Sequence, residues 1–199
     1  MARLAVFASG RGTNFVAIAG ALAMAKRHAI EFVLCDVKDA PVLDRAQELG
    51  VPVVPVSYKG MTREAVEKKI VRHLERRRVD LVALAGYMKL LTPWFIHAFK
   101  GPVINLHPSL LPKYPGMHAI GESFQSPDKD LGISVMRIDE GVDTGPVLLQ
   151  KSFVRTGTES LEEIEARIHK LEYEWFPHLL IELLDGIDGQ STRTAGQTP

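Results

Sequence analysis

Cysteine occurs once in the 199 residues, at Cys35. A single thiol excludes an intramolecular disulfide and any zinc site built on several cysteines, and it suits a reducing compartment. Neither sign of charge is in excess: 24 Lys and Arg balance 24 Asp and Glu. The chain therefore lacks the net positive field on which nucleic-acid binding draws. No apolar run approaches a membrane span, and the opening MARLAVFASGRG is too short in its apolar part for a secretory core plus cleavage site. The histidines show no paired spacing of the kind metal sites use. These absences predict a cytoplasmic protein with no metal, nucleic-acid or membrane partner, which leaves small molecules as its substrates and monomer or homodimer both open.

What is present is a rhythm. With 46% hydrophobic residues the chain can bury a sizeable core. RLAVFA at 3–8, IEFVLC at 30–35, VPVVPV at 51–56, DLVALAG at 80–86 and PVINLH at 102–107 read as strands. Helical patterns separate the first four: 13–25, 42–50 closed by Gly50, and 61–78 with Val66, Ile70 and Leu74 at helical spacing. Prolines in 51–56 place that strand at a sheet edge. GISVMRI at 132–138 and PVLLQKSFV at 146–154 flank a polar turn and can pair antiparallel. Ser160 and Glu163 have capping-box spacing, and Leu161, Ile164, Ile168, Leu171 and Trp175 form the stripe of a long helix. The pattern predicts an α/β fold: a Rossmann-like, mostly parallel twisted sheet with helices on both faces and an antiparallel pair near the C-terminal half. No repeat or linker divides the chain, so one domain over 1–199 is expected, with a flexible tail from about 185.

Open parallel sheets bind ligands beyond the carboxyl ends of their strands, and four special segments fall there. SGRGTN, 9–14, joins the first strand to a helix; its glycines allow a tight turn, and the amides of Gly12, Thr13 and Asn14 can face an anion. It lacks the G-x-G-x-x-G spacing and the lysine of nucleotide loops. A plain turn capped by Thr13 or Asn14 reads the same way. Asn105 and His107 are two apart at a strand exit, on one face, followed by Pro108 and Pro112. An amide donor and an imidazole aimed at one spot suit a carbonyl oxygen gaining negative charge. DEGVDTGP, 139–146, offers an acid to that pair, with Asp139, Glu140 and Asp143 all open. AGYMKLLTP, 85–93, is apolar where a loop is usually polar; it can wall a pocket or begin a packed helix. Glu172 sits near the apolar stripe of the long helix and needs a partner.

Taken in order, SGRGTN, DAPVLDRAQELGV, LAGYMKLLTP, INLHPSLLPKYPGMHA and DEGVDTGPVLLQ, with Glu172, resemble the folate-dependent formyltransferases. Within them they are most similar to the branch that formylates 5-phosphoribosylglycinamide in purine synthesis. The resemblance implies 10-formyltetrahydrofolate as formyl donor. It implies Asn105, His107 and Asp143 as the catalytic trio, and Gly12, Thr13 and Asn14 on the substrate phosphate with Glu172 on the ribose side. Arg63, Met88, Lys89, Leu90, Leu91 and Val142 fall at folate-binding positions. One departure is Met136, where the family commonly has histidine; another is IGESFQ after PGMHA. Formyl transfer to a nucleotide-linked sugar amine, or a non-catalytic folate or nucleotide binder, are the alternative readings.

Overall fold

A computed structural model describes residues 1–195. Seven strands form one sheet in the order β3-β2-β1-β4-β5-β6-β7. They are β1 Arg3–Ala8, β2 Ala29–Cys35, β3 Val53–Pro55, β4 Leu81–Leu84, β5 Val103–His107, β6 Asp130–Arg137 and β7 Val147–Val154. The first five run parallel. β6 and β7 run antiparallel, β6 against β5 and β7 against β6. The proline-bearing strand lies at the edge, as its sequence predicts, but pairs over only 3 residues.

Side chains alternate across the pleat and divide the core in two. On one face Leu4, Val6, Ala8, Val33, Leu81, Ala83, Ile104, Ile133 and Val135 pack with α1 (Thr13–Ala25), α2 (Pro41–Glu48) and α6 (Leu161–Ala195). On the other, Ala5, Phe7, Phe32, Leu34, Val82, Leu84 and Val103 pack with α3 (Arg63–Arg76) and α4 (Pro93–Ala98). The central strands are buried on both faces, hence their nearly continuous apolar sequence. A further short helix, α5 (Ala119–Gln125), lies between β5 and β6.

Helix ends follow the expected chemistry. Thr62 caps α3, its Oγ1 accepting from the Ala65 N–H at 3.2 Å. The capping box of α6 forms: the Glu163 N–H donates to Ser160 Oγ at 3.2 Å, and the Ser160 N–H to Glu163 Oε2 at 2.8 Å. Part of the tail expected to be flexible from about 185 is helical. Helix α6 continues to Ala195, and Asp185 accepts from His28 Nε2 at 2.9 Å. The Ala2 N–H donates to His28 Nδ1 at 3.3 Å, which leaves the ring proton on Nε2. This end of the helix is thus docked by a partner 157 residues away, which composition could not reveal. Residues 196–199 of the expected tail lie outside the described residues. Among the described residues no helix is long and apolar enough to cross a membrane.

Candidate active site

Strand order reverses between β1 and β4, and such a switch point opens a crevice at the strand ends. The loop after β1 is 9–14 and the loop after β4 is 85–92. They touch: the Ser9 N–H donates to the Gly86 carbonyl at 3.0 Å. β5, next to β4, ends at His107.

Gly12 carries α1 out of the first loop with φ 73°. A Cβ there would stand 2.5 Å from Val42 Cγ2 and 2.9 Å from Val42 Cα. Glycine is needed for packing against α2 as well as for the left-handed turn. No side chain caps α1, and its first turn carries no acid. The turn capped by Thr13 or Asn14 is therefore not what forms, and the leading amides stay available to an anion. Asn14 Nδ2 donates to Glu172 Oε2 at 3.0 Å, while its Oδ1 is buried with no hydrogen-bond partner. A buried acceptor left unpaired costs about 1–3 kcal/mol and calls for an explanation. Glu172 is 4% exposed and also bonds His169 Nδ1 at 2.9 Å. That bond, more than the opposing effect of burial, raises the His169 pKa above its ordinary value.

Asn105 and His107 lie on the same face of β5 as Val103, opposite Ile104 and Leu106. Asn105 pairs across the strand with Met136, which is fully buried. The His107 ring is buried, with Nε2 at 2.8 Å from the Tyr114 carbonyl oxygen. A carbonyl only accepts, so Nε2 carries a proton and Nδ1 is the position free to gain or lose one. Asp143 Oδ2 is 3.5 Å from that Nδ1 and accepts the Gly116 N–H at 2.8 Å. Ser109 Oγ donates to the Lys113 carbonyl at 2.6 Å and the Tyr114 carbonyl at 3.2 Å, curling the loop after β5 back onto the ring.

The structure separates three acids that the sequence leaves equivalent. Asp139 Oδ1 accepts from Gly141 N–H and Thr144 Oγ1 within its own turn. Glu140 pairs with His97 at the surface, at 2.8 Å. Asp143 alone of the three meets His107.

Met88, Leu90 and Val142 are exposed apolar side chains, and Lys89 and Arg63 are exposed cations. Leu91 turns inward against the core on the α3 face. The 85–93 segment is a loop through Thr92, followed by a helix that begins at Pro93. Three supporting residues carry no signal in the sequence reading. Glu67, fully buried, accepts from the Thr92 N–H at 2.9 Å and from Thr92 Oγ1. Asp36 lies under the two loops. His169 lies beside Glu172. Only the buried-face position of Glu67 in α3, next to Val66 and one turn before Val71, could have drawn notice. Among the described residues no group of three His, Cys, Asp or Glu is placed to hold a metal ion.

Comparison with known proteins converges on one family. The pattern of the family described as formyl transferase matches residues 2–180. Phosphoribosylglycinamide formyltransferase of Bacillus subtilis is 43% identical over 92% of this chain and 95% of its own. Glycinamide ribonucleotide transformylase 1 from Geobacillus kaustophilus superposes with a TM-score of 0.86 at 43% identity, covering 92% of this chain and 99% of that one. Phosphoribosylglycinamide formyltransferase from Streptococcus pneumoniae gives 0.85 at 38% identity, covering 92% and 99%.

Proposed function

The chain belongs to the formyl transferase family, and from that premise we propose that it transfers the formyl group of 10-formyltetrahydrofolate to the glycyl amine of 5-phosphoribosylglycinamide in purine biosynthesis. It works as a single domain, in the cytoplasm. The carrying observation is the His107 ring, whose Nε2 is committed to the Tyr114 carbonyl and whose Nδ1 faces Asp143 at 3.5 Å.

The amine attacks the formyl carbon. A carbon–nitrogen bond forms, and the carbonyl oxygen takes up negative charge. The Asn105 amide donates a hydrogen bond to that oxygen, and the imidazolium of His107 supplies positive charge beside it. Asp143 positions the ring, or a water that carries the amine proton onward to the folate nitrogen as its bond to the formyl carbon breaks. Holding the two substrates in contact supplies roughly 7–11 kcal/mol of the acceleration.

The remaining residues suit the same pair of substrates. The uncapped amides of Gly12, Thr13 and Asn14 fit a phosphate. The unpaired Asn14 Oδ1 and the Glu172 carboxylate next to it fit ligand hydroxyls, which donate to acceptors. Exposed Met88, Leu90 and Val142, with Leu91 behind, fit a flat pteridine, while Lys89 and Arg63 fit the carboxylates of its tail.

The test is a formyl-transfer assay with the purified chain, 10-formyltetrahydrofolate, and either 5-phosphoribosylglycinamide or a nucleotide-linked amino sugar. Transfer to the first, strongly preferred over the second, is the expected result. Donor binding without transfer to either amine, even at enzyme equal to substrate, refutes the proposal in favour of a non-catalytic binder.

A further inference from the structure

The loops assigned above to phosphate and folate follow different strands, β1 and β4, yet one buried carboxylate reaches both. Asp36 follows the last residue of β2, and its side chain is 3% exposed. Its Oδ1 accepts the Ser9 hydroxyl at 2.5 Å. With its proton so committed, Ser9 Oγ presents a lone pair, and the Met88 N–H donates to it at 2.9 Å. Asp36 Oδ2 lies 3.7 Å from Lys89 Nζ, whose ammonium also sits 5.7 Å from the centre of the Tyr58 ring. The far end of the β4 loop is fastened separately, by buried Glu67 on Thr92.

A carboxylate this buried is costly unless paired and hydrogen-bonded. Its partners are Ser9 in one loop and Lys89 in the other, and Ser9 hands the connection on to Met88. The loop 9–14 therefore cannot shift without disturbing 88–89. We propose that Asp36 is a positioning residue that fixes the two substrate loops relative to each other through Ser9. Asp36 touches neither substrate. It sets the orientation of the Ser9 hydroxyl, and so the placement of the Met88 backbone and the Lys89 ammonium against the loop that carries Gly12, Thr13 and Asn14. The proposal rests on the assignment of those loops to the two substrates.

Two measurements test it. In the ligand-free protein, hydrogen exchange at the Met88 amide should quicken by about tenfold or more in Asp36→Ala and Ser9→Ala, since opening the tie exposes that N–H. Asp36→Asn retains an oxygen that accepts from Ser9 and should keep most of the protection. In steady-state kinetics Asp36→Ala and Ser9→Ala should raise KM for donor and acceptor together, by about fivefold or more, with a smaller change in kcat. The double variant should be no worse than either single one, because both break one connection. A purely structural Asp36 lowers the melting temperature and leaves Met88 exchange and both KM values in place; that result overturns the proposal, as does a KM change confined to one substrate. If Asp36→Ala fails to fold, Ser9→Ala carries the same expectations. A wild-type protein that transfers no formyl group defeats the assigned function instead, and Met88 exchange then decides the loop tie alone.

Discussion

At Gly12 a single hydrogen in place of a methyl group decides two things. The φ of 73° is one that other residues adopt at a cost, and Val42 occupies the space a Cβ would need. Gly12→Ala should destabilise the fold by roughly 2–4 kcal/mol, strain and overpacking combined, and weaken phosphate binding as α1 shifts. Urea titration and acceptor KM measure the two effects. Asn105 is the reverse case, a residue whose loss the fold should tolerate. It is partly exposed in the middle of β5, and among the described residues its side chain makes no hydrogen bond. Removing one preorganised oxyanion donor costs about 2.7–4 kcal/mol of transition-state stabilisation. Asn105→Ala should therefore lose at least about a hundredfold in kcat while its melting temperature stays near wild type. Near-native turnover in that variant removes Asn105 from the mechanism. Asn105, His107 and Gly12 were legible as candidates because a polar pair at a strand exit and a glycine in a strand-helix turn are local signals. Asp36 and Glu67 were not, since a buried carboxylate looks like any surface acid until its partners fold around it.

Between elements, α1 and α6 share an apolar core, and a polar contact joins them as well. Asn14 sits in the first turn of one helix, and Glu172 and His169 sit one turn apart on the other. The carboxylate holds His169 above its ordinary pKa, so the charged ring is favoured in the folded state. That contribution is complete below the unfolded value, near 6.5, and fades as pH rises through the higher folded one. A proton NMR titration should place the His169 midpoint above that of an unpaired histidine, and Glu172→Gln should bring it back. An unchanged midpoint in Glu172→Gln would show that the ring owes its charge to something else. The spacing of Ser160 and Glu163 identified the start of α6. Its last described turns are held both by the core, on which Ile187 packs, and from far along the chain, Asp185 by His28 and Asp188 by the N-terminus.

For the molecule as a whole, α6 is the element that closes one face of the sheet. It places Ile164, Ile168, Phe176, Leu180 and Leu184 into the same core as β1, β4 and β5, on the face of β5 opposite Asn105 and His107. Phe176 is fully buried, and Phe176→Ala should cost about 3–5 kcal/mol. Denaturant unfolding followed by both tryptophan emission and far-ultraviolet dichroism should show one shifted transition. Two separated transitions would mean that α6 unfolds as its own unit.

The amino-acid pattern by itself determined the α/β class, the parallel run and antiparallel pair, the edge strand and the four candidate segments beyond the strand ends. Each depends on periodicity, proline or glycine, whose consequences are felt within a few residues. Only the tertiary structure decided which of Asp139, Glu140 and Asp143 faces His107, which ring nitrogen is left for the proton, and what ties the loops after β1 and β4. Those outcomes depend on atoms brought together across tens of residues, where distance and burial, rather than residue type, set the chemistry.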